Sequence, residues 1–264
     1  MQLDLRGKRA LVCGASKGLG RASAIELSRL GADITLLARS ADKLSALAHE
    51  LDQQRVHDEQ DHDFLVADLD DTDELRKRIK TLVATTPVHI LIHNTGGPPA
   101  GRILEAQPDD FLKALNRHLI AGQVLVQTVV PGMRQAGYGR IINIVSTSIY
   151  QPIPNLGVSN TTRGAIGTWA KTLSHELAPD GITVNNVLPG STDTERLREL
   201  LQANAERSGQ SMKEVVATWE AEIPMGRFGR PDEIGQAVAF LASPAAAYIT
   251  GVSLPVDGGK VKSV

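Results

Sequence analysis

Three glycines and two cations carry the first chemical signal in this sequence. Cys13-Gly14-Ala15-Ser16-Lys17-Gly18-Leu19-Gly20 follows a short apolar run and opens a segment of helical period. Gly14, Gly18 and Gly20 would let a backbone pass close to a diphosphate, and a helix N-terminus offers that charge free amides and the positive end of its dipole. Gly14, Ser16, Lys17, Gly18, Leu19 and Gly20 are therefore candidate dinucleotide-binding residues. Arg39 and Ser40 follow a second apolar run, Ile34 to Ala38, where the adenosine ribose of such a ligand belongs. A carboxylate there would bond a 2′-hydroxyl, whereas a guanidinium suits a 2′-phosphate. With Lys17 as a second cation, NADP(H) is favoured over NAD(H); the alternative is that both cations are ordinary solvated side chains. Asp68 and Leu69 end a third run. Asp68 could accept the adenine amino group, or instead serve as a helix N-cap.

These groups need a scaffold, and the chain is long enough to supply one. Its 264 residues are 42% apolar, enough for a large core, and α/β chains of this size commonly form one domain. A formal charge of -2 provides no basic field for nucleic acid or an anionic membrane, so a small molecule is the expected partner. The single cysteine, Cys13, excludes an intrachain disulfide. The start lacks the plan of a secretory signal and no apolar run reaches spanning length, so the expected setting is cytoplasmic.

Apolar runs of strand length alternate with longer stretches of helical period, the pattern of βαβ units on a parallel sheet covered on both faces. The runs are Arg9 to Cys13, Asp33 to Ala38, Asp63 to Ala67, Ile90 to His93, Arg140 to Val145, Thr183 to Leu188 and Ser253 to Val256. They predict a single-domain α/β, Rossmann-like, doubly wound parallel sheet of about seven strands over residues 1–264. Leu197, Leu200, Leu201, Val215, Val216 and Trp219 recur at roughly helical spacing. Residues 194–222 therefore read either as a helical lid inserted over the site or as a plain amphipathic helix pair.

Taken in order, the motifs resemble those of the short-chain dehydrogenase/reductase family over nearly the whole chain. Cys13 to Gly20 is similar to its glycine loop, and His93-Asn94-Thr95-Gly96 to its Asn-Asn-Ala-Gly. Asn185-Asn186-Val187-Leu188-Pro189-Gly190 is similar to its nicotinamide-side turn, and further signatures are matched by Arg227 to Ile234 and by Ile249 to Gly259. The resemblance implies cofactor contacts at Asn94, Gly96, Pro189, Gly190 and Thr194, and a homo-oligomer, tetramer or dimer. It also implies a serine, a tyrosine and a lysine at fixed spacing. Ser146 matches the serine, but the tyrosine position holds Ser159 and the lysine position Arg163. An asparagine expected thirteen residues before Pro131 becomes His118, although Asn116 is two residues away.

Hydride transfer to a carbonyl needs a proton for the developing alkoxide. Ser159 and Arg163, four apart, share one helical face. Arg163 can bond ribose oxygens and supply positive charge, while Ser159 is too short to replace a phenol directly and would need a water relay. The other candidate donors are His118, which has an ordinary pKa near neutrality or else is a structural residue on a buried helix face, Tyr150, which otherwise lines the pocket, and the substrate or solvent. Ser146 would orient a carbonyl oxygen, or simply cap a turn. Divergent relatives with this Ser/Arg pair resemble 3-oxoacyl-acyl-carrier-protein reductases. The implied activity is an NADP(H)-dependent oxidoreductase acting on a carbonyl or alcohol, with no metal. The alternative is a catalytically impaired NADP(H)-binding sensor or structural subunit.

Overall fold

The computed structural model describes residues 1–262. The first half builds β1 (Arg9–Cys13), α1 (Gly18–Arg29), β2 (Asp33–Ala38), α2 (Ala41–Gln53), β3 (His62–Val66), α3 (Thr72–Thr85) and β4 (Ile90–His93). The second half adds α4 (Pro108–Leu115), α5 (Ala121–Ala136), β5 (Gly139–Ile144), α6 (Gly157–Leu177), β6 (Ile182–Pro189), α7 (Glu195–Ser208), α8 (Met212–Ala221), α9 (Pro231–Ala242) and β7 (Ser253–Val256). The seven strands are all parallel and lie in the order β3-β2-β1-β4-β5-β6-β7. Strand order therefore reverses between β1 and β4, and a doubly wound sheet leaves its crevice outside the strand C-termini at such a point.

Strands covered on both faces read as continuous apolar runs, and β5 and β6 are buried at every residue. Alternate side chains feed two cores. Val12, Leu36 and Ile142 pack with Leu27 of α1, Leu44 of α2 and Val238 of α9. Leu11, Leu37 and Leu91 on the other face pack with Ile79 of α3, Leu125 of α5 and Ala170 of α6.

Three strands begin one residue earlier than their apolar runs suggest. Asp63 to Ala67 becomes His62–Val66, Arg140 to Val145 becomes Gly139–Ile144, and Thr183 to Leu188 becomes Ile182–Pro189. Polar His62 joins its strand because its ring is buried and accepts a hydrogen bond from the Ile34 amide at 3.2 Å. Gly139 joins because the neighbouring Ile182 leaves no room for a side chain: a Cβ would lie 2.7 Å from Ile182 Cγ1. Among the described residues no helix is long and apolar enough to cross a membrane.

Helices α1 and α9 make a close crossing at Gly235, where a Cβ would stand 2.8 Å from the Ala22 carbonyl oxygen and 2.9 Å from Glu26 Cγ. Since α1 carries the glycine loop on its N-terminus, this crossing fixes the loop from behind. Gly235→Ala should therefore cost about 1–3 kcal/mol through overpacking, lowering the thermal midpoint by roughly 2–4 °C per kcal/mol. An unchanged midpoint in a melting experiment would show that the helices can spread freely.

Candidate active site

The glycine loop sits at the switch point between β1 and β4. Gly14 and Gly18 have φ of 62° and 55°, in the left-handed region that side chains disfavour. Gly20 is buried, and a Cβ there would press on the Gly14 carbonyl and lie 2.8 Å from Asn94 Nδ2. Asn94 ends β4 and donates through Nδ2 to the carbonyls of Cys13 and Gly14, at 3.3 and 3.4 Å. Helix α1 then begins with no side-chain cap and no acidic residue in its first turn. Its leading amides consequently remain available to an anion. Ser16 is half-buried on the loop, and Leu19 packs down onto the core.

Arg39 lies one residue beyond the aligned pair Ala38 and Val66, and Asp68 lies just across from it. The two are 3.7 Å apart and Arg39 remains largely exposed, so its guanidinium is free to turn toward a ligand. Ser40 starts α2 without a side-chain cap bond, and Leu69 packs against the second core. Asp68 does not cap α3, because Asp71 does so by accepting from the Glu74 amide at 3.0 Å. Asp68 instead closes a local turn by accepting from the Asp70 amide. The expected second cation is also engaged elsewhere: Lys17 Nζ bonds the Glu195 carboxylate in the first turn of α7. Glu195 answers the positive end of its own helix and draws Lys17 toward α7.

Arg163 marks the other end of the crevice. It is 8% exposed, donates through Nη1 to the Ile144 carbonyl at 3.1 Å, and has Nη2 3.8 Å from the space a Gly97 Cβ would fill. No carboxylate pairs with it among the described residues. Burial, and then the charge of Arg196, lowers its pKa to about 10, so it stays cationic at neutral pH. Ser159, one turn earlier on α6, is half-buried and its hydroxyl makes no hydrogen bond among the described residues. Ser146 ends the strand-to-loop passage after β5, and its Oγ accepts from the Ser148 amide at 3.1 Å. The turn-capping reading thus holds for its lone pair, while its proton remains free to donate.

His118 occupies a π-helical turn, Asn116–Ile120, that joins α4 to α5. It is 1% exposed, with Nδ1 hydrogen-bonded to Thr95 Oγ1 and no partner for Nε2 among the described residues. Burial first, then the charges of Arg163, His93 and Arg117, push its pKa down to about 2. Its surroundings thus favour the neutral imidazole over a group poised to titrate near neutrality. Asn116 points away and donates to the Asp70 carbonyl at 2.8 Å. His93 is buried edge-on against Trp169, its pKa lowered to about 4 chiefly by burial. Tyr150 is diverted as well, since its hydroxyl donates to the Ser253 carbonyl at 2.8 Å at the start of β7.

Pro189 and Gly190 close β6 against β7, where the Gly190 amide donates to the Val256 carbonyl and a Cβ would meet Asp257 at 2.7 Å. Thr194 is the N-cap of α7, its Oγ1 accepting from the Leu197 amide at 3.4 Å. Exposed Gly96 begins the loop that runs toward Gly101. That loop is stitched to the 150–156 segment: the Gly101 amide donates to the Asn155 carbonyl at 2.7 Å, with Asn155 at φ 60°.

Two residues that the sequence reading missed help to shape this end. Asn160 holds the loop through bonds to the Ile153 amide and carbonyl. Arg196 reaches from α7 to the Pro98 carbonyl at 2.9 Å. An arginine in the first turn of a helix opposes the dipole, and that anomaly was the available signal. A cleft of about 420 Å³ runs along α1 to α7 and α9; it shares Lys17, Gly18 and Thr194 with the cradle but none of Ser146, Ser159 or Arg163.

The unfilled amides, the side-chain-free cradle and the buried cation fit a dinucleotide laid from Arg39 across Gly18 to Arg163. No cluster of His, Cys, Asp or Glu among the described residues could hold a metal. Fold and cradle together define a Rossmann-like dinucleotide-binding protein. A family model described as enoyl-(acyl carrier protein) reductase matches residues 14–260. The 3-oxoacyl-(acyl-carrier-protein) reductase of Pseudomonas aeruginosa is 34% identical over 264 residues, covering 99% of this chain and all of its own. Among solved structures, L-sorbose reductase from Gluconobacter frateurii, complexed with NADPH and L-sorbose, superposes with a TM-score of 0.93 at 28% identity and full coverage of both chains. A gluconate 5-dehydrogenase from Burkholderia cenocepacia, in complex with NADP and tartrate, gives 0.88 at 29%, covering 100% of this chain and 98% of its own. The chain belongs to the short-chain dehydrogenase/reductase family of oxidoreductases.

His118 yields a stability prediction. Its folded pKa lies below its unfolded value near 6.5, so only the unfolded chain takes up this proton as pH falls. Stability should therefore be full above about pH 6.5 and decline below it, by up to about 1.4 kcal/mol per pH unit from this group. His118→Asn should flatten the decline between pH 6.5 and 5 in denaturant titrations. Equal slopes for the two proteins would show that His118 is not held neutral.

Proposed function

We propose that this protein is an NADP(H)-dependent oxidoreductase that interconverts a carbonyl and an alcohol, in the manner of 3-oxoacyl-thioester reductases, using Ser159 and Arg163 at the reacting end. The observation that carries the reading is Arg163, a buried guanidinium with no carboxylate partner among the described residues, at the C-terminal edge of β5 and one helical turn from Ser159. When bound, NADPH supplies hydride to the carbonyl carbon.

The chain's own residues then have separable tasks. The Ser146 hydroxyl donates to the carbonyl oxygen and orients it. Ser159 passes a proton to that oxygen through a water, and Arg163 steadies the developing negative charge while bonding the ribose oxygens. His118, neutral and tied to Thr95, positions this corner without exchanging protons itself. At the far end Arg39 meets the 2′-phosphate. Asn94 and Gly96 line the diphosphate path, and Pro189, Gly190 and Thr194 line the nicotinamide side. Lys17 contributes only when it leaves Glu195.

The activities and bound ligands of these relatives support the cofactor and the reaction type. Helices α7 and α8 pack on each other through Leu197, Leu201, Val215 and Trp219, and we read residues 194–222 as a lid on a single-domain chain. Exposed Leu112 and Ile120 on one side, and Tyr248 near β7, suit a homo-oligomer, dimer or tetramer. A cytoplasmic setting is consistent with this reading.

NADPH oxidation followed against a panel of ketoesters, diketones and ketoses tests the proposal. Turnover is expected with NADPH preferred over NADH, and Ser159→Ala should lower kcat by about 10²-fold or more. Arg39→Asp should move the kcat/KM preference toward NADH. An unchanged kcat in Ser159→Ala would remove the water relay, and the absence of turnover on every carbonyl would contradict the catalytic reading.

A further inference from the structure

Resting on the reading that places a 2′-phosphate beside Arg39, we infer that Arg117 is a coenzyme-specificity residue acting through Asp70: it neutralises a carboxylate that would otherwise repel the 2′-phosphate of NADP(H). An unbroken series of contacts joins the two arginines. Arg39 Nη1 stands 3.7 Å from Asp68 Oδ2, and the other oxygen of that carboxylate, Oδ1, accepts from the Asp70 amide at 3.0 Å. The Asp70 side chain is in turn gripped by both arms of Arg117, Nε donating to Oδ1 at 2.8 Å and Nη2 to Oδ2. One turn after β3 therefore carries both acids, with a guanidinium on each.

The turn holds its shape without that ion pair. The Asp71 amide donates to the Asp68 carbonyl at 3.3 Å, and the Asp71 carboxylate is committed to the start of α3 as its N-cap. Asn116, one residue before Arg117 on the π-helical turn, donates to the Asp70 carbonyl at 2.8 Å. What Arg117 adds is charge. Its hydrogen bond, opposed by partial burial and aided by its own charge and that of Arg39, holds the Asp70 carboxyl below the usual carboxylate range, so Asp70 is an anion at neutral pH. With Arg117 in place two cations, Arg39 and Arg117, face two anions, Asp68 and Asp70; without it Arg39 alone faces both. A 2′-phosphate adds about two negative charges at neutral pH and is the whole difference between NADP(H) and NAD(H). An unbalanced acid here therefore discriminates against one coenzyme only.

The magnitude follows from exposure. The Arg117 and Asp70 side chains are 35% and 37% exposed, so water screens the interaction and the effect is several-fold rather than many orders of magnitude. A purely mechanical brace makes a different claim. Pinning the π-helical turn to the turn after β3 needs both partners equally, so deleting either would harm both coenzymes alike. The electrostatic role gives the two deletions opposite signs. Loss of Arg117 leaves the Asp70 charge facing the phosphate, whereas loss of the Asp70 charge leaves a second guanidinium free to attract it.

The test titrates the full chain with NADPH and with NADH, following coenzyme fluorescence, in the wild type, Arg117→Gln, Asp70→Asn, the double variant and Arg39→Gln. Arg117→Gln should weaken NADPH by roughly three- to tenfold and leave NADH within about twofold, the loss shrinking as salt rises. Asp70→Asn, which breaks the same ion pair, should bind NADPH at least as well as the wild type, and the double variant should recover what Arg117→Gln loses. Equal losses for both coenzymes, or weaker NADPH binding in Asp70→Asn, would reduce the pair to a brace and overturn the inference. Should Arg117→Gln not fold, the Asp70→Asn result decides alone. A preference for NADPH that Arg39→Gln removes and Arg117→Gln leaves intact would also overturn it, with the oxidoreductase reading standing. No change in Arg39→Gln would instead remove the 2′-phosphate from Arg39, and failure of both coenzymes to bind would contradict the functional reading; either result takes this inference with it.

Discussion

Asn94 donates from the end of β4 to the carbonyls of Cys13 and Gly14, and this pair of bonds pins the glycine loop across the point where the sheet reverses its winding. The contact is possible only because Gly14 and Gly20 carry no side chains there. It sets the direction in which the uncapped start of α1 faces, and from that the rest of the crevice takes its bearings. Parallel register then places Arg39 beyond β2 on one side and Arg163 beyond β5 on the other. A loop that sagged away from β4 would leave both cations without a common ligand.

Arg39 and Arg163 stand at this edge in a chain whose net charge is slightly negative. Most arginines on the surface are paired with acids, as Arg21 is with Glu50 and Arg227 with Glu233. Arg140 and Arg163 are the exceptions in the interior, without a carboxylate partner among the described residues: Arg140 lies over the Tyr138 ring, whereas Arg163 donates to the Ile144 carbonyl and faces Gly97. The guanidinium of Arg163 has consequences of its own. It spreads the charge over a planar fork, keeps that charge under strong desolvation, and shifts the preferred partner from a point acceptor toward a bidentate anion.

Much of this was legible in the sequence because the governing patterns are local. The glycine spacing, Arg39 after the second run and the strands Arg9–Cys13, Asp33–Ala38, Ile90–His93 and Ser253–Val256 follow from periodicity and from residue types with one use. What escaped depends on pairings between distant segments. Nothing near Lys17 announces Glu195, nothing near Tyr150 announces the Ser253 carbonyl, and Arg196 acquires meaning only when α7 folds down onto Pro98. The π-helical turn at Asn116–Ile120 has no periodic signature either, yet it turns Asn116 to Asp70 and His118 to Thr95. Residue type alone suggested a titrating histidine; burial beside Arg163 favours the neutral form, and no local pattern announces that burial.

The account rests on a positively polarised edge that accepts one phosphorylated dinucleotide per chain. Calorimetric titration of the purified protein with NADPH and, separately, NADH measures this directly. One NADPH bound per chain, with affinity at least roughly tenfold above that for NADH and declining with salt, is the predicted result. Heat changes indistinguishable from dilution for both coenzymes would contradict it.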